Sequence, residues 1–306
     1  MDFGLGLPTA GSATSAEAIL QVAAEAEHLG LASIWTFERL LRPTGPVSMG
    51  GGPPFSLPDY YASVYDPIET LAFLAGKTER VRLGTSVIDA LFHPPVVLAR
   101  RLATLDRLSG GRVVAGLGQA WMPEEFAVAE VSPKRRGAGF QEHIEAMRAV
   151  WGADPVLFEG RFYQIPESQI GPKPLQSGGP PLLIGAGTVA GAERAGRMGL
   201  GLNPIAGSPL QPTLDALGEF IQTFRRAAES AGHDPGVLPV VVRVNGPITE
   251  RAIDERAPLT GSVDQVVDDL ARLETFGVNE VLWSMGSKPE QQIAAMEGLI
   301  AATSSA

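Results

Sequence analysis

Residues 83–126 read LGTSVIDALFHPPVVLARRLATLDRLSGGRVVAGLGQAWMPEEF, and this stretch decides the fold. A β-prone run from Val81 to Ile88 leads into a helical pattern from Pro94 to Leu108, and Ser109-Gly110-Gly111 then breaks the helix before a second apolar run, Arg112 to Gly118. That order is a strand–helix–strand unit, the building block of a parallel sheet.

The same alternation continues in both directions. Phe3 to Leu7 reads as the first strand, Thr14-Ser15-Ala16-Glu17 as a capping box opening a helix through Ile19, Val22, Ala26 and Leu29, and Gly30 as its stop. Ser33 to Phe37 is the second strand. Residues 38–65 carry Pro43, Pro46, Pro53, Pro54, Pro58 and the run Gly50-Gly51-Gly52, too long for a mere connection, and this segment is expected to form an active-site lid. Asp66-Pro67 restarts a helix with an N-cap residue followed by proline.

Beyond the fourth strand come an acidic helical insert at Glu124 to Val128 and a longer helix from Gly139 to Trp151. Val156-Leu157-Phe158 and Arg161-Phe162-Tyr163 then flank Glu159-Gly160 as a β-hairpin. Strands five to eight are placed at Leu182–Ile184, Gly201–Ile205, Leu238–Val244 and Glu280–Met285, with helices near 188–198, 210–231 and 262–276 and a last one from Pro289 to Ala302. Eight strands with helices between them and no linker-like composition predict one domain over residues 1–306, an α/β fold of the (β/α)8 TIM-barrel type with insertions. In that architecture the active site sits on the loops after the strands.

Composition narrows the function. Hydrophobic residues make up 44% and charged residues 19%, which is globular usage. A formal net charge of −10 speaks against a nucleic-acid partner, which needs concentrated Lys and Arg. With no Cys, and with His28, His93, His143 and His233 scattered, no metal-ligand spacing exists. The amino terminus starts directly as an apolar strand and no apolar run reaches membrane-spanning length, so the expected location is cytoplasmic, away from any membrane.

One glycine motif invites a cofactor. Gly185-Ala186-Gly187-Thr188-Val189-Ala190 fits G-x-G-x-x-A after a strand and before a helix, yet the next strand ends in Asn203-Pro204 without the acidic residue that a ribose would need. A Rossmann half is therefore disfavoured. Small residues at a helix N-terminus still admit an anion such as a cofactor phosphate, and a tight turn without ligand is the alternative.

Taken together, these motifs resemble the bacterial luciferase-like family. The resemblance rests on the Gly84-Thr85-Ser86-Val87 strand end, the His93-Pro94 helix start, the Leu105-Asp106-Arg107-Leu108-Ser109-Gly110-Gly111-Arg112 turn, and the glycine-rich fourth strand leading to Glu124-Glu125-Phe126. Phe158-Glu159-Gly160-Arg161-Phe162-Tyr163, Thr260-Gly261-Ser262 and Phe276-Gly277-Val278 extend it over nearly the whole chain.

The resemblance implies a luciferase-like barrel that binds the deazaflavin coenzyme F420, or alternatively FMN, at the carboxyl ends of its strands, with hydride transfer to or from a small-molecule substrate. It implies a homodimer as well. Gly84-Thr85-Ser86-Val87 is similar to the deazaflavin-dependent branch, which implies a non-proline cis peptide between Ser86 and Val87 behind the cofactor ring. Gln119 and Ala120, and the turn Gly185, Ala186, Gly187 and Thr188, are placed in the cofactor site with them. Arg135 and Arg136 either reach cofactor phosphates or form a solvated face.

Two departures matter. Many deazaflavin members carry an Asp-His pair where this chain has Glu38-Arg39, so Glu38 keeps a carboxylate for proton handling. Arg39 cannot shuttle a proton and suits anchoring a cofactor carbonyl or phosphate. The sugar-phosphate branch has a glutamate where Trp121 stands, which disfavours a sugar phosphate. Trp35, Asp89 and Trp121 are assigned to the substrate pocket, although a loop cap for Asp89 and a structural hydrogen bond for His93 are the simpler readings. The competing functions are an FMN-dependent luciferase-like monooxygenase and a cofactor-binding protein without turnover.

Overall fold

A computed structural model describes residues 1–306 except Ala13, Gly50, Gly51, Leu210, Ser287, Ser305 and Ala306. Eight parallel strands form the barrel wall: β1 (Asp2–Gly6), β2 (Ser33–Thr36), β3 (Arg82–Asp89), β4 (Val113–Gly118), β7 (Leu182–Gly185), β8 (Gly201–Asn203), β10 (Val241–Val244) and β13 (Glu280–Trp283). β1 pairs with both β2 and β13, and the ring closes where Leu202 bridges Val240 and its N–H donates to the Pro239 carbonyl at 2.8 Å. Past Pro204 the short β9 (Ile205–Ala206) continues the pairing with β10.

The helices α1 (Ala16–His28), α2 (Pro67–Ala75), α3 (Pro95–Leu108), α5 (Ala138–Trp151), α6 (Val189–Arg197), α7 (Leu214–Ser230), α8 (Val263–Thr275) and α9 (Pro289–Ser304) return the chain outside the wall. Insertions add α4 (Pro123–Val128), the hairpin β5 (Val156–Glu159) and β6 (Gln164–Ser168), and the pair β11 (Ile248–Thr249) and β12 (Gly261–Ser262). The predicted TIM barrel with insertions is the architecture found.

Local chemistry explains the helix starts. Asp66 accepts from the Ile68 and Glu69 N–H groups at 2.9 and 3.3 Å, with Pro67 at the first helical position. Ser15, rather than a Thr14–Glu17 box, caps α1 by accepting from the Ala18 N–H at 3.1 Å. The reciprocal box lies instead at Ser262 and Gln265.

The hairpin departs from the expected register. Its second arm is Gln164–Ser168, because residues 161–163 form the turn, where the Glu142 carboxylate accepts the N–H groups of Arg161, Phe162 and Tyr163 at 3.0, 2.6 and 2.7 Å. A carboxylate on a neighbouring helix thus satisfies donors that a strand would have used.

Residues 105–112 act as a brace. Asp106, fully buried, accepts from Leu175 N, Gln176 N and Gln176 Nε2 at 2.7, 3.0 and 2.7 Å and so ties the approach to β7 against α3. The Arg112 guanidinium donates to the carbonyls of Ala75, Thr78 and Val81 at 2.8–2.9 Å and closes the loop below β3.

Inside the wall, side chains alternate in and out with the pleat. Trp35, Val114, Leu183, Val241 and Leu282 form one apolar layer. Trp35 also bonds downward to Ser33 Oγ at 2.6 Å and Glu280 Oε1 at 3.0 Å. The indole fits because Gly4 and Gly84 face it: a Cβ on Gly84 would overlap its six-membered ring. We expect Gly84→Ala to destabilise the protein by about 2 kcal/mol, the usual scale for an overpacked core. Urea denaturation should show a smaller loss when the substitution is made beside Trp35→Leu, and equal losses in the two backgrounds would mean that the Gly84–Trp35 contact does not set the cost.

Candidate active site

Two residues beyond the apolar layer, toward the carboxyl ends of the strands, the same inward alternation places Phe37, Gly116, Gly185, Arg243 and Ser284, with Ser86 and Asn203 between them. The layer is mostly glycine, serine and asparagine, so the barrel mouth is left open where the layer below is filled. The Ser86–Val87 peptide is cis. Val87 lies against Gly118 and Gly185: a Cβ on either glycine would come within 2.7 Å of a Val87 methyl. Ser86 Oγ donates to Asn203 Oδ1 at 2.7 Å, and Asn203 Nδ2 donates to the Val241 carbonyl at 2.6 Å, so one polar chain crosses from β3 through β8 to β10.

Glu38 stands just after β2 and is 6% exposed. Its backbone N–H donates to the Val87 carbonyl at 3.1 Å, Oε2 accepts from Asp89 N at 2.8 Å, and Oε1 lies 2.7 Å from His93 Nε2. Arg39 does not meet Glu38. It pairs with the buried Glu125 of α4 at 2.6 Å, and its guanidinium lies over the rings of Tyr61 and Trp121 at 5.3 and 5.6 Å. Its Nε is buried without a hydrogen-bond partner among the described residues.

The Asp89 carboxylate accepts from Ala120 N at 3.0 Å and holds that residue at a φ of +57°, a left-handed geometry on the loop after β4. Burial, then the neighbouring Glu38 charge, push the Asp89 carboxyl up to about 7. Gln119 Oε1 accepts from Gly137 N at 2.8 Å, just before α5. Trp121 packs with Val47, Leu57 and Met122 and stacks on Phe55 at 6.1 Å. The expected lid is therefore anchored to the loop after β4. Its Gly50 and Gly51 lie outside the described residues.

Gly185 ends β7 at the mouth and the buried Ala186 follows it, Gly187 and Thr188 are exposed, and Thr188 caps α6 by accepting from Gly191 N at 3.3 Å. Arg135 lies over Tyr163 at 4.9 Å and Arg136 over Phe126 at 5.4 Å. The structure thus gathers Glu38, Asp89, Ala120, Ser86, Val87 and Gly185 around the mouth, with Arg39 and Trp121 on its wall. Trp35 it places elsewhere: the indole is 2% exposed and fills the inner layer, because its position on β2 turns it in and down toward Glu280.

Sequence reading passed over four members of this site: His93 as the partner of Glu38, Glu125 as that of Arg39, Asn203, and Arg243. Only Arg243 carried a signal, a cation within the apolar strand Val241-Val242-Arg243-Val244. Among the described residues no cluster of His, Asp and Glu has the arrangement of a metal site.

The elevated Asp89 pKa has a signed consequence for stability. The folded state keeps the carboxyl protonated up to about 7, whereas an unfolded chain releases the proton near 3.8. Between those values the unfolded state binds fewer protons, so stability falls as pH rises through that window and levels off above it. We expect Asp89→Asn, which keeps an acceptor for Ala120 N, to flatten that decline by up to about 4 kcal/mol in urea titrations between pH 4 and pH 8. Parallel profiles for variant and wild type would assign the decline to other groups.

Against known proteins, the model of the luciferase-like monooxygenase family matches residues 1–257. An uncharacterised protein of Mycobacterium tuberculosis is 34% identical over 248 residues, 81% of this chain and 79% of the relative. The F420-dependent glucose-6-phosphate dehydrogenase of Amycolatopsis mediterranei is 28% identical over 291 residues, covering 90% of this chain and 83% of the relative. The crystal structure of monooxygenase RslO1 from Streptomyces bottropensis superposes with a TM-score of 0.80 at 26% identity, over 98% of both chains. With a parallel eight-stranded barrel and a family match over most of its length, this chain belongs to the luciferase-like family.

Proposed function

We propose that the chain is an oxidoreductase that uses coenzyme F420 to exchange a hydride with a small organic substrate at the barrel mouth. The observation that carries this reading is the face formed by Val87 over Gly118 and Gly185, where the Val87 methyls occupy the space that a Cβ on either glycine would need, next to the loop that opens α6. A planar ring can rest on such a face, and the exposed Gly187-Thr188 turn offers backbone N–H groups at a helix N-terminus to a phosphate. The relative from Amycolatopsis, named as F420-dependent, supports the choice of cofactor. Trp121 stands where the sugar-phosphate branch has a glutamate, so the substrate differs from that relative's.

When bound, the deazaflavin supplies a two-electron hydride donor or acceptor. The residues of the chain supply orientation and proton control. Val87, Gly118 and Gly185 hold the ring, the residues from Gly185 to Thr188 hold the anionic tail, and Trp121 with the segment packed on it excludes water from one side. Glu38 and His93, 2.7 Å apart, hold a proton between Oε1 and Nε2 beside that face.

A second reading, an FMN-dependent monooxygenase, is favoured by the likeness to RslO1, a monooxygenase by name. Titration of purified apoprotein with oxidised F420 and with FMN separates the two. Tighter binding of F420 is expected, with a loss of about tenfold in Gly187→Val, the equivalent of one lost anion contact. Tighter binding of FMN would transfer the assignment to the monooxygenase, and unchanged affinity in Gly187→Val would remove the α6 turn from the site.

Glu38→Gln keeps the acceptor for Asp89 N but cannot carry the proton. Single-turnover hydride transfer should slow by about a hundredfold, the lower range for a general acid–base group, while cofactor affinity stays near wild type. Wild-type rates would confine Glu38 to its structural bonds.

A further inference from the structure

Arg243 is the one large charged side chain of the upper barrel layer, and its partners do not neutralise it. One Nη donates to the carbonyl of Ser86, and Nε donates to Asn245 Oδ1 at 2.8 Å. No carboxylate pairs with it among the described residues. The ionisable groups whose charges it feels are Tyr61, Tyr60 and a second cation, Arg39. The buried Glu125 is taken by Arg39 and the Leu40 N–H, and the Glu38 carboxylate is committed to His93 and the Asp89 N–H. Burial lowers the guanidinium's pKa but leaves it charged, since arginine does not lose its proton in proteins. The side chain is only partly covered.

Its surroundings are aromatic. The guanidinium lies 5.3 Å from the Phe37 ring centre, Phe37 meets Tyr61 edge-on at 5.9 Å, and Tyr61 meets Tyr60 at 4.6 Å. A charge partly withdrawn from water without a counter-ion is costly unless a ligand supplies one. From this juxtaposition we propose that Arg243 is the substrate-orienting residue, and that the substrate is a planar conjugated organic anion, an arylcarboxylate or phenolate, whose anionic oxygen pairs with Arg243 while its ring lies against Phe37 and the Tyr60–Tyr61 wall.

This deepens the oxidoreductase reading above, yet it is tested without turnover. The probes are trans-cinnamate and its neutral isostere cinnamamide, titrated against the full chain with intrinsic tryptophan and tyrosine fluorescence as the readout. Wild type should bind cinnamate at least about tenfold more tightly, as a charge-assisted hydrogen bond implies. Arg243→Gln should bring the two affinities together, and Arg243→Lys should retain part of the preference. Equal affinities in wild type, a comparison that needs no variant to fold, would overturn the proposal, and so would a preference that survives Arg243→Gln. If cinnamate selectivity depends on Arg243 while neither F420 nor FMN binds, the anion site stands and the oxidoreductase reading falls.

Discussion

The arrangement at the barrel mouth depends on the way Glu38 holds the end of β3. Between Thr85 and Ile88 that strand loses its regular register with β4, which frees peptide groups that a straight strand would have paired. Glu38 satisfies them: its N–H reaches the Val87 carbonyl and its carboxylate the Asp89 N–H, while its other oxygen fixes His93 at the start of the next helix. One residue after β2 therefore sets the direction of Val87, the position of Asp89 and the entry into α3. Because Asp89 in turn holds Ala120, the constraint passes on to the loop after β4.

Charge follows the same plan. Two cations and three carboxylates crowd this end of the barrel, and each is assigned by geometry rather than by nearness in sequence. Glu38 and Arg39 are adjacent in the chain yet go to different partners, Glu38 across to His93 and Arg39 outward to Glu125. Asp89 has no cationic partner of its own among the described residues. Burial and the Glu38 charge then favour its neutral form, which spares a third buried negative charge. Among the described residues Arg243 is left with neutral acceptors only, the Ser86 carbonyl and Asn245 Oδ1.

The fold was legible because its signals are local and periodic. Short apolar runs, the Asp66-Pro67 helix start and the stop at Gly30 each declare an element without reference to the rest of the chain, although the cap of α1 is Ser15 and not Thr14. The Ser86–Val87 cis bond came from family resemblance instead, since no propensity marks it. What escaped were pairings across the barrel. Nothing within a few residues of His93 announces that Glu38, 55 positions away, bonds to it. The hairpin was misplaced for a similar reason, its turn being set by Glu142 on another element. Trp35 shows a different limit, in that a tryptophan near a strand end looks like a pocket wall until the pleat and the glycines opposite it are known.

Those glycines separate stability from function along the barrel axis. Below, Gly4 and Gly84 make room for a large ring, so that their lack of side chains increases packing. Above, Gly118 faces Val87 and the Asp89 carboxyl and Gly185 faces Val87, and under the proposed function the space over Val87 takes the cofactor ring. The same residue type thus closes one layer and opens the next. The difference lies in whether an inward side chain of the wall reaches across, as Trp35 does, or stops short. Gly84→Ala and an alanine at Gly185 would both overlap a neighbour, yet the first presses on the packed core, whereas the second presses on the face where a ligand would rest. A barrel built this way can vary its mouth while the Trp35–Glu280 layer beneath continues to hold the strands together.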